Sequence, residues 1–226
     1  MFNSRLSKIT NNSHCGYLIV FLVAILLTAC SSTENTLRTG FESGKYRTIV
    51  ALGDSIVEGY GVSEGWPEML ARSLVASFPD VRVINAGRSG DTAGQGLSRL
   101  EADVLRHSPD LVLVSFGLND MKNGLSVEQF KQDLGNVVDR ISANGVTVVL
   151  LTTTRLQKGA SMVARFNPGP FNDIIRAIAE GNGIWLIDVN KEAGSLNTSK
   201  YLFDAAHPNT EGYRKLARII EKGLIE

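Results

Sequence analysis

A serine, a histidine and an aspartate that could act together lie far apart in this chain. Ser55 follows Gly53-Asp54 at the end of a short apolar run, Ile49 to Leu52, and His207 stands three residues after Asp204. A serine hydroxyl is a weak nucleophile until a base takes its proton, and histidine is the side chain most often used for that. The Asp204–His207 spacing lets the carboxylate accept from the imidazole Nδ1–H, which leaves Nε2 free to face Ser55. Acyl transfer also needs donors aimed at the developing oxyanion. The candidates are the backbone N–H groups of Ser55 and Gly87 and the side-chain amide of Asn119. His107 sits at a helix end before Ser108-Pro109, where a cation suits the negative end of the dipole, and is read as structural.

Other chemistries lack their residues. Val57 stands where the second glycine of a Gly-x-Ser-x-Gly elbow would fall, against the α/β-hydrolase fold. The sequence contains no His-Glu-x-x-His motif and no cysteine cluster, so no metal is expected. Gly94-x-Gly96 lacks the third glycine of a dinucleotide loop and follows no strand, and no Gly-Lys-Ser/Thr phosphate loop is present, so no cofactor is expected. With 23 basic and 23 acidic residues, no basic excess points to nucleic acid.

The elements that must position these residues alternate. Apolar strand patterns cover Thr48 to Leu52, Val81 to Ile84, Leu111 to Phe116, Val146 to Leu151 and Ile184 to Ile187. Helical periodicity marks Trp66 to Phe78, Thr92 to His107, the stretch after the Ser126-Val127-Glu128-Gln129 capping box, Phe171 to Ala179, and Thr210 to about Leu224. Strands alternating with helices imply a parallel sheet covered on both faces, and right-handed crossovers make it doubly wound. The expected fold is therefore α/β, a three-layer α/β/α sandwich on a five-stranded parallel sheet. The loops holding Ser55, Gly87 and Asn119, and the one with Asp204 and His207, then share the carboxyl edge of that sheet.

Gly53-Asp54-Ser55, Gly87, Gly117-x-Asn119-Asp120 and Asp204-x-x-His207, in that order, resemble the four blocks of the SGNH, or GDSL, hydrolase family. Ser89-Gly90-Asp91-Thr92, Gln95-Gly96-Leu97 and Arg99-Leu100 further resemble its bacterial thioesterase I, arylesterase and lysophospholipase branch. The resemblance implies a flavodoxin-like sheet, Ser55 as nucleophile, His207 as base, Asp204 orienting it, and an oxyanion hole of Ser55, Gly87 and Asn119. The implied activity is hydrolysis of small acyl esters, thioesters or lysophospholipids. The alternatives are a carbohydrate or peptidoglycan O-acetylesterase and, from another class, a lipid-anchored binding module on a retired scaffold. Two departures concern substrate choice. Leu118 replaces the second of two glycines before the asparagine, and the loop after strand four reads Arg155-Leu156-Gln157-Lys158 without the branch's proline. Arg155, Arg165, Phe166, Asn167 and Pro168 of that loop are expected to contact substrate.

The N-terminus is a different kind of segment. Arg5 and Lys8 precede an uncharged apolar run, Tyr17 to Ala29, too short to span a bilayer but suited to a secretory signal. It ends in Leu27-Thr28-Ala29-Cys30, which resembles a bacterial lipobox. The expected organisation is a signal peptide over 1–29, a lipidated Cys30 with a polar tether over 30–44, and the hydrolase domain over 45–226. The expected location is the cell envelope, on a lipid anchor, with Ser31 after the cysteine favouring the outer membrane facing the periplasm. The only other cysteine, Cys15, would leave with the signal, so the exported domain would hold no disulfide.

Overall fold

The computed structural model describes residues 36–153, 167–194 and 200–226. Cys30 and the whole signal segment, and Arg155, Arg165 and Phe166 of the expected substrate loop, lie outside them.

The sheet is built from β1 (Thr48–Gly53), β2 (Arg82–Gly87), β3 (Leu111–Ser115), β4 (Thr147–Leu151) and β5 (Trp185–Ile187). Their order is β2-β1-β3-β4-β5 and every pairing is parallel. β1 is buried along its whole length between β2 and β3, which is why it reads as continuous aliphatic sequence rather than an alternating one. Gly53 pairs with Gly87 on one side and Ser115 on the other. The chain leaves β1 for β2 and then crosses back to β3. The order therefore reverses at β1, the kind of point where open α/β sheets form a crevice at their carboxyl edge.

Helices cover both faces. The helices Trp66–Ser77 and Thr210–Ile225 pack on each other, as do Val127–Ser142 and Gly169–Asn182. Each presents its apolar stripe inward: Leu70 and Leu74 in the first, Tyr213, Leu216, Ile220 and Leu224 in the second, Phe130, Leu134, Val137 and Ile141 in the third, Phe171, Ile175 and Ile178 in the fourth. Phe130 and Phe171 meet across the third and fourth with ring centroids 5.1 Å apart.

Two stretches differ from the sequence reading. The expected helix over Thr92 to His107 is three pieces, Ala93–Ser98, Leu100–Asp103 and a 3₁₀ turn Leu105–His107. The first break falls at Arg99, whose side chain turns inward to bond backbone oxygens of two strands, a tertiary demand that helical periodicity does not report. The domain also begins before Lys45. Residues 36–42 form a helix in which Leu37 and Phe41 are buried in the core cluster, not part of a polar tether. Phe41 lies 5.3 Å from the Tyr46 ring and 5.4 Å from the Phe78 ring. Burying those two apolar side chains outweighs the polar character of their neighbours.

Candidate active site

Ser55 begins a short helix, Ser55–Glu58, directly beyond β1. Asp54 caps it, its carboxylate accepting the Ile56 N–H at 2.9 Å, and Gly59 ends it in the left-handed region. This turn places a buried serine at the carboxyl edge of the most buried strand. Tyr213, fully buried on the last helix, sets its hydroxyl 3.4 Å from the Ser55 carbonyl oxygen and 3.4 Å from that of Tyr60.

His207 reaches the same point from the other end of the chain. Its loop is folded back on itself: the Phe203 N–H donates to the His207 carbonyl at 2.8 Å, Leu202 bridges Pro208, and the Asn209 N–H donates to the Tyr201 carbonyl at 2.9 Å. Asn209 then caps the last helix by accepting the Gly212 N–H at 3.0 Å. Held this way, His207 Nε2 lies 2.9 Å from Ser55 Oγ, and Nδ1 lies 2.8 Å from Asp204 Oδ2. The other Asp204 oxygen accepts the N–H groups of Ala206 at 2.8 Å and His207 at 2.7 Å. Burial works against ionisation of Asp204. The two backbone N–H groups and the imidazole together outweigh it and hold the carboxyl below the usual aspartate range. An Nδ1–H given to that carboxylate leaves the Nε2 lone pair to accept from the serine hydroxyl.

Beneath the serine lies a set of buried polar groups. Arg99 donates to Asp91 Oδ2 at 2.6 Å, to the Ala86 carbonyl at 2.8 Å and to the Gly53 carbonyl at 3.0 Å, so one guanidinium ties the ends of β1 and β2 to the loop that follows β2. Asp120, fully buried, accepts from the N–H groups of Ala93 at 3.0 Å and Gly117 at 3.1 Å. Burial raises its pKa against those two bonds. Burial, partly offset by the Ile56 N–H and reinforced by the charges of Asp120 and Asp91, pushes the Asp54 carboxyl up to about 7.

Of the expected oxyanion donors, Asn119 follows β3, the neighbour of β1, at the carboxyl edge of the sheet. It is buried on the short helix Leu118–Lys122 and gives one amide hydrogen to the Asp91 carbonyl at 3.0 Å, and the second has no acceptor among the described residues. The Ser55 N–H has no acceptor among the described residues. Gly87 is a different matter. Its N–H donates to its neighbour's side chain, Asn85 Oδ1, at 2.9 Å, and a Cβ there would stand 2.1 Å from the Glu58 backbone nitrogen. Gly87 is small so that the serine-bearing helix can pack against β2; its N–H is not available to a ligand. Three residues on, Gly90 has φ +87° in the turn closed by the Asp91 N–H on the Arg88 carbonyl at 3.2 Å. A side chain at Gly90 would meet nothing within 4 Å, and its N–H has no acceptor among the described residues. Gly90 stands next to the residue whose carbonyl holds Asn119. The signal for it was present in Ser89-Gly90-Asp91-Thr92: a glycine in a turn just ahead of the Thr92–Gln95 capping box.

Two of the expected substrate-loop residues, Asn167 and Pro168, lie at the start of a helix. Asn167 accepts the Gly169 N–H at 2.9 Å, and Pro168 is the cap of the helix Gly169–Asn182, so both shape that helix start. His107 lies in the exposed 3₁₀ turn beside Arg106, far along the chain from these groups.

Comparison with known proteins agrees with this picture. A family model described as GDSL-like Lipase/Acylhydrolase family matches residues 51–215. An arylesterase of Vibrio mimicus is 29% identical over 180 residues, covering 79% of this chain and 88% of that protein. The thioesterase 1/protease 1/lysophospholipase L1 of Escherichia coli K12 is 30% identical over 186 residues, covering 81% of this chain and 86% of its own. Among solved structures, the lipase/acylhydrolase of Enterococcus faecalis superposes with a TM-score of 0.70 at 28% identity, over 79% of this chain and 95% of the other.

Proposed function

The chain belongs to the GDSL-like lipase/acylhydrolase family, and from that membership we propose that it hydrolyses carboxylic esters or thioesters through an acyl-enzyme on Ser55. The observation that carries the reading is the unbroken run of hydrogen bonds from Ser55 Oγ to His207 to Asp204, at 2.9 and 2.8 Å. In the first half, Ser55 Oγ attacks the carbonyl carbon and its proton passes to His207 Nε2. The oxyanion of the tetrahedral intermediate is met by the N–H groups of Ser55 and Gly90 and the second amide hydrogen of Asn119. Collapse breaks the bond to the leaving oxygen or sulfur, and His207 returns the proton to it. Water then attacks the acyl carbon as His207 takes its proton, the bond from the acyl carbon to Ser55 Oγ breaks, and His207 gives the proton to Oγ, releasing the acid and the free serine. Asp204, kept ionised, holds the imidazole in the required tautomer and stabilises its protonated form.

The acyl group is small or a single chain, as in acyl esters, thioesters and lysophospholipids, and the loop carrying Arg155, Arg165 and Phe166 contributes to its choice. A fluorophosphonate probe should label Ser55 covalently, and Ser55→Ala should lose both the label and the turnover of p-nitrophenyl acetate. Full-rate labelling of Ser55→Ala would move the nucleophile elsewhere. A chain-length series of esters, thioesters and lysophospholipids on the wild-type enzyme then fixes the acyl preference. For location, the lipobox-like Leu27 to Cys30 supports export and lipid anchoring at Cys30 in the cell envelope, on the outer membrane facing the periplasm. Cys30→Ser should abolish incorporation of labelled fatty acid; unchanged incorporation would refute the anchor.

A further inference from the structure

One nitrogen, His207 Nε2, takes the serine proton and later gives it to the departing oxygen. The leaving group must therefore sit on the His207 side of Ser55, whatever the acyl group does. That side carries two exposed aromatic rings. The Tyr60 ring lies 4.5 Å from the imidazole, tilted by 40°. Phe203 is held by its N–H on the His207 carbonyl, and its ring lies over Gly61, where a Cβ would come within 3.2 Å of it. Tyr60 is 46% exposed and Phe203 60%. Among the described residues only two other large hydrophobic side chains are exposed, and less so: Val75 on the helix Trp66–Ser77 and Trp185 on β5. Exposed large apolar side chains gathered beside a reactive group mark a surface that a ligand covers.

We propose that Tyr60 and Phe203 form a leaving-group subsite that takes a planar aromatic alcohol or phenol, and so set selectivity on the alcohol side of the ester. The proposal rests on the serine-hydrolase reading above. Aromatic rings favour offset or edge-to-face partners, and such a pair is worth a factor of about 2 to 12. For an acyl-enzyme, kcat/KM covers the steps up to departure of the leaving group, so the ledge acts there and is absent from deacylation.

The test compares benzyl acetate with methyl acetate, whose alcohols have nearly the same acidity and whose acyl-enzyme is identical. The wild-type enzyme should favour the benzyl ester in kcat/KM, and Phe203→Ala should lower that ratio by about fivefold. Tyr60→Leu should lower it too, and Phe203→Tyr should restore it. A wild-type ratio near one, or a ratio unmoved by the variants, would overturn the ledge. So would a preference for an acetylated pyranoside over benzyl acetate that the same variants abolish, since the occupant would then be a sugar. Fluorophosphonate labelling is read on the same preparations. Enzyme labelled at Ser55 but showing no change in ratio fails the ledge alone; enzyme not labelled there fails the serine reading and the ledge with it.

Discussion

Asp54 and Asp204 flank the same serine and are driven in opposite directions by their surroundings. Lifting the Asp54 carboxyl from 3.8 to about 7 means that ionising it costs the folded state about 4 kcal/mol. The folded chain keeps this proton over a range where the unfolded chain has lost it. Stability therefore falls as pH rises from about 4 to about 7 and then levels. Asp54→Asn keeps an oxygen for the Ile56 N–H and cannot ionise. Urea unfolding of the variant should lack this loss, with a gain over wild type that is largest at pH 8 and vanishes toward pH 4. Parallel stability curves for the two proteins would contradict the buried, protonated Asp54. Asp204 behaves in the reverse sense. Its folded pKa is lowered, so it stays ionised while free aspartate would protonate, and any contribution to stability is present above the free-aspartate range and lost progressively as pH falls through that lowered value. In the proposed hole the second Asn119 amide hydrogen meets the oxyanion, so Asn119→Ala should lower kcat by about 10² to 10³ and leave KM nearly unchanged. Normal kcat in that variant would remove Asn119 from the hole.

Glycines of the β2 loop separate packing from catalysis at the level of the element. A methyl at Gly87 would collide with the backbone of the helix Ser55–Glu58, so Gly87→Ala should pry that helix off β2 and lower the melting temperature markedly. A methyl at Gly90 meets open space, and its cost is the left-handed backbone, about 1 kcal/mol. Gly90→Ala should therefore stay folded while its activity falls, because relief of the strained φ redirects the N–H. Calorimetry and p-nitrophenyl acetate turnover on the two variants distinguish the roles; a folded, fully active Gly90→Ala would exclude its N–H from the hole. Arg99 holds the same elements from below. Removing it strands the Asp91 carboxylate in the interior and takes a donor from the carbonyls of Gly53 and Ala86. Arg99→Ala should thus cost about 3 to 5 kcal/mol of unfolding free energy. A loss under 1 kcal/mol would mean that water satisfies those groups.

At the scale of the whole molecule, the helix over residues 36–42 completes the core from outside the expected domain boundary. A chain beginning at Lys45 should unfold at lower urea than one beginning at Leu37, because it leaves the space filled by Leu37 and Phe41 empty. Equal midpoints would return that helix to the tether. The short pattern Thr36 to Glu42 was illegible as a helix because two buried apolar side chains make no periodicity, and the rings that pack on Phe41, those of Tyr46 and Phe78, come later in the chain. The same distinction runs through the protein. Local sequence determined the five strands, the long helices and the α/β class, since apolar runs and helical stripes are properties of neighbours along the chain. It also determined which residue types were available for acyl transfer, because Ser55, Asp204, His207 and Asn119 are rare combinations of type and spacing. Only the tertiary structure decided which glycine presents a free N–H, since Gly87 and Gly90 differ not in type but in what stands opposite them: the Asn85 side chain and Glu58 backbone for one, open space for the other. It alone brought Tyr60 and Phe203 to one side of His207, because residues so distant in sequence meet only when the sheet and its loops close.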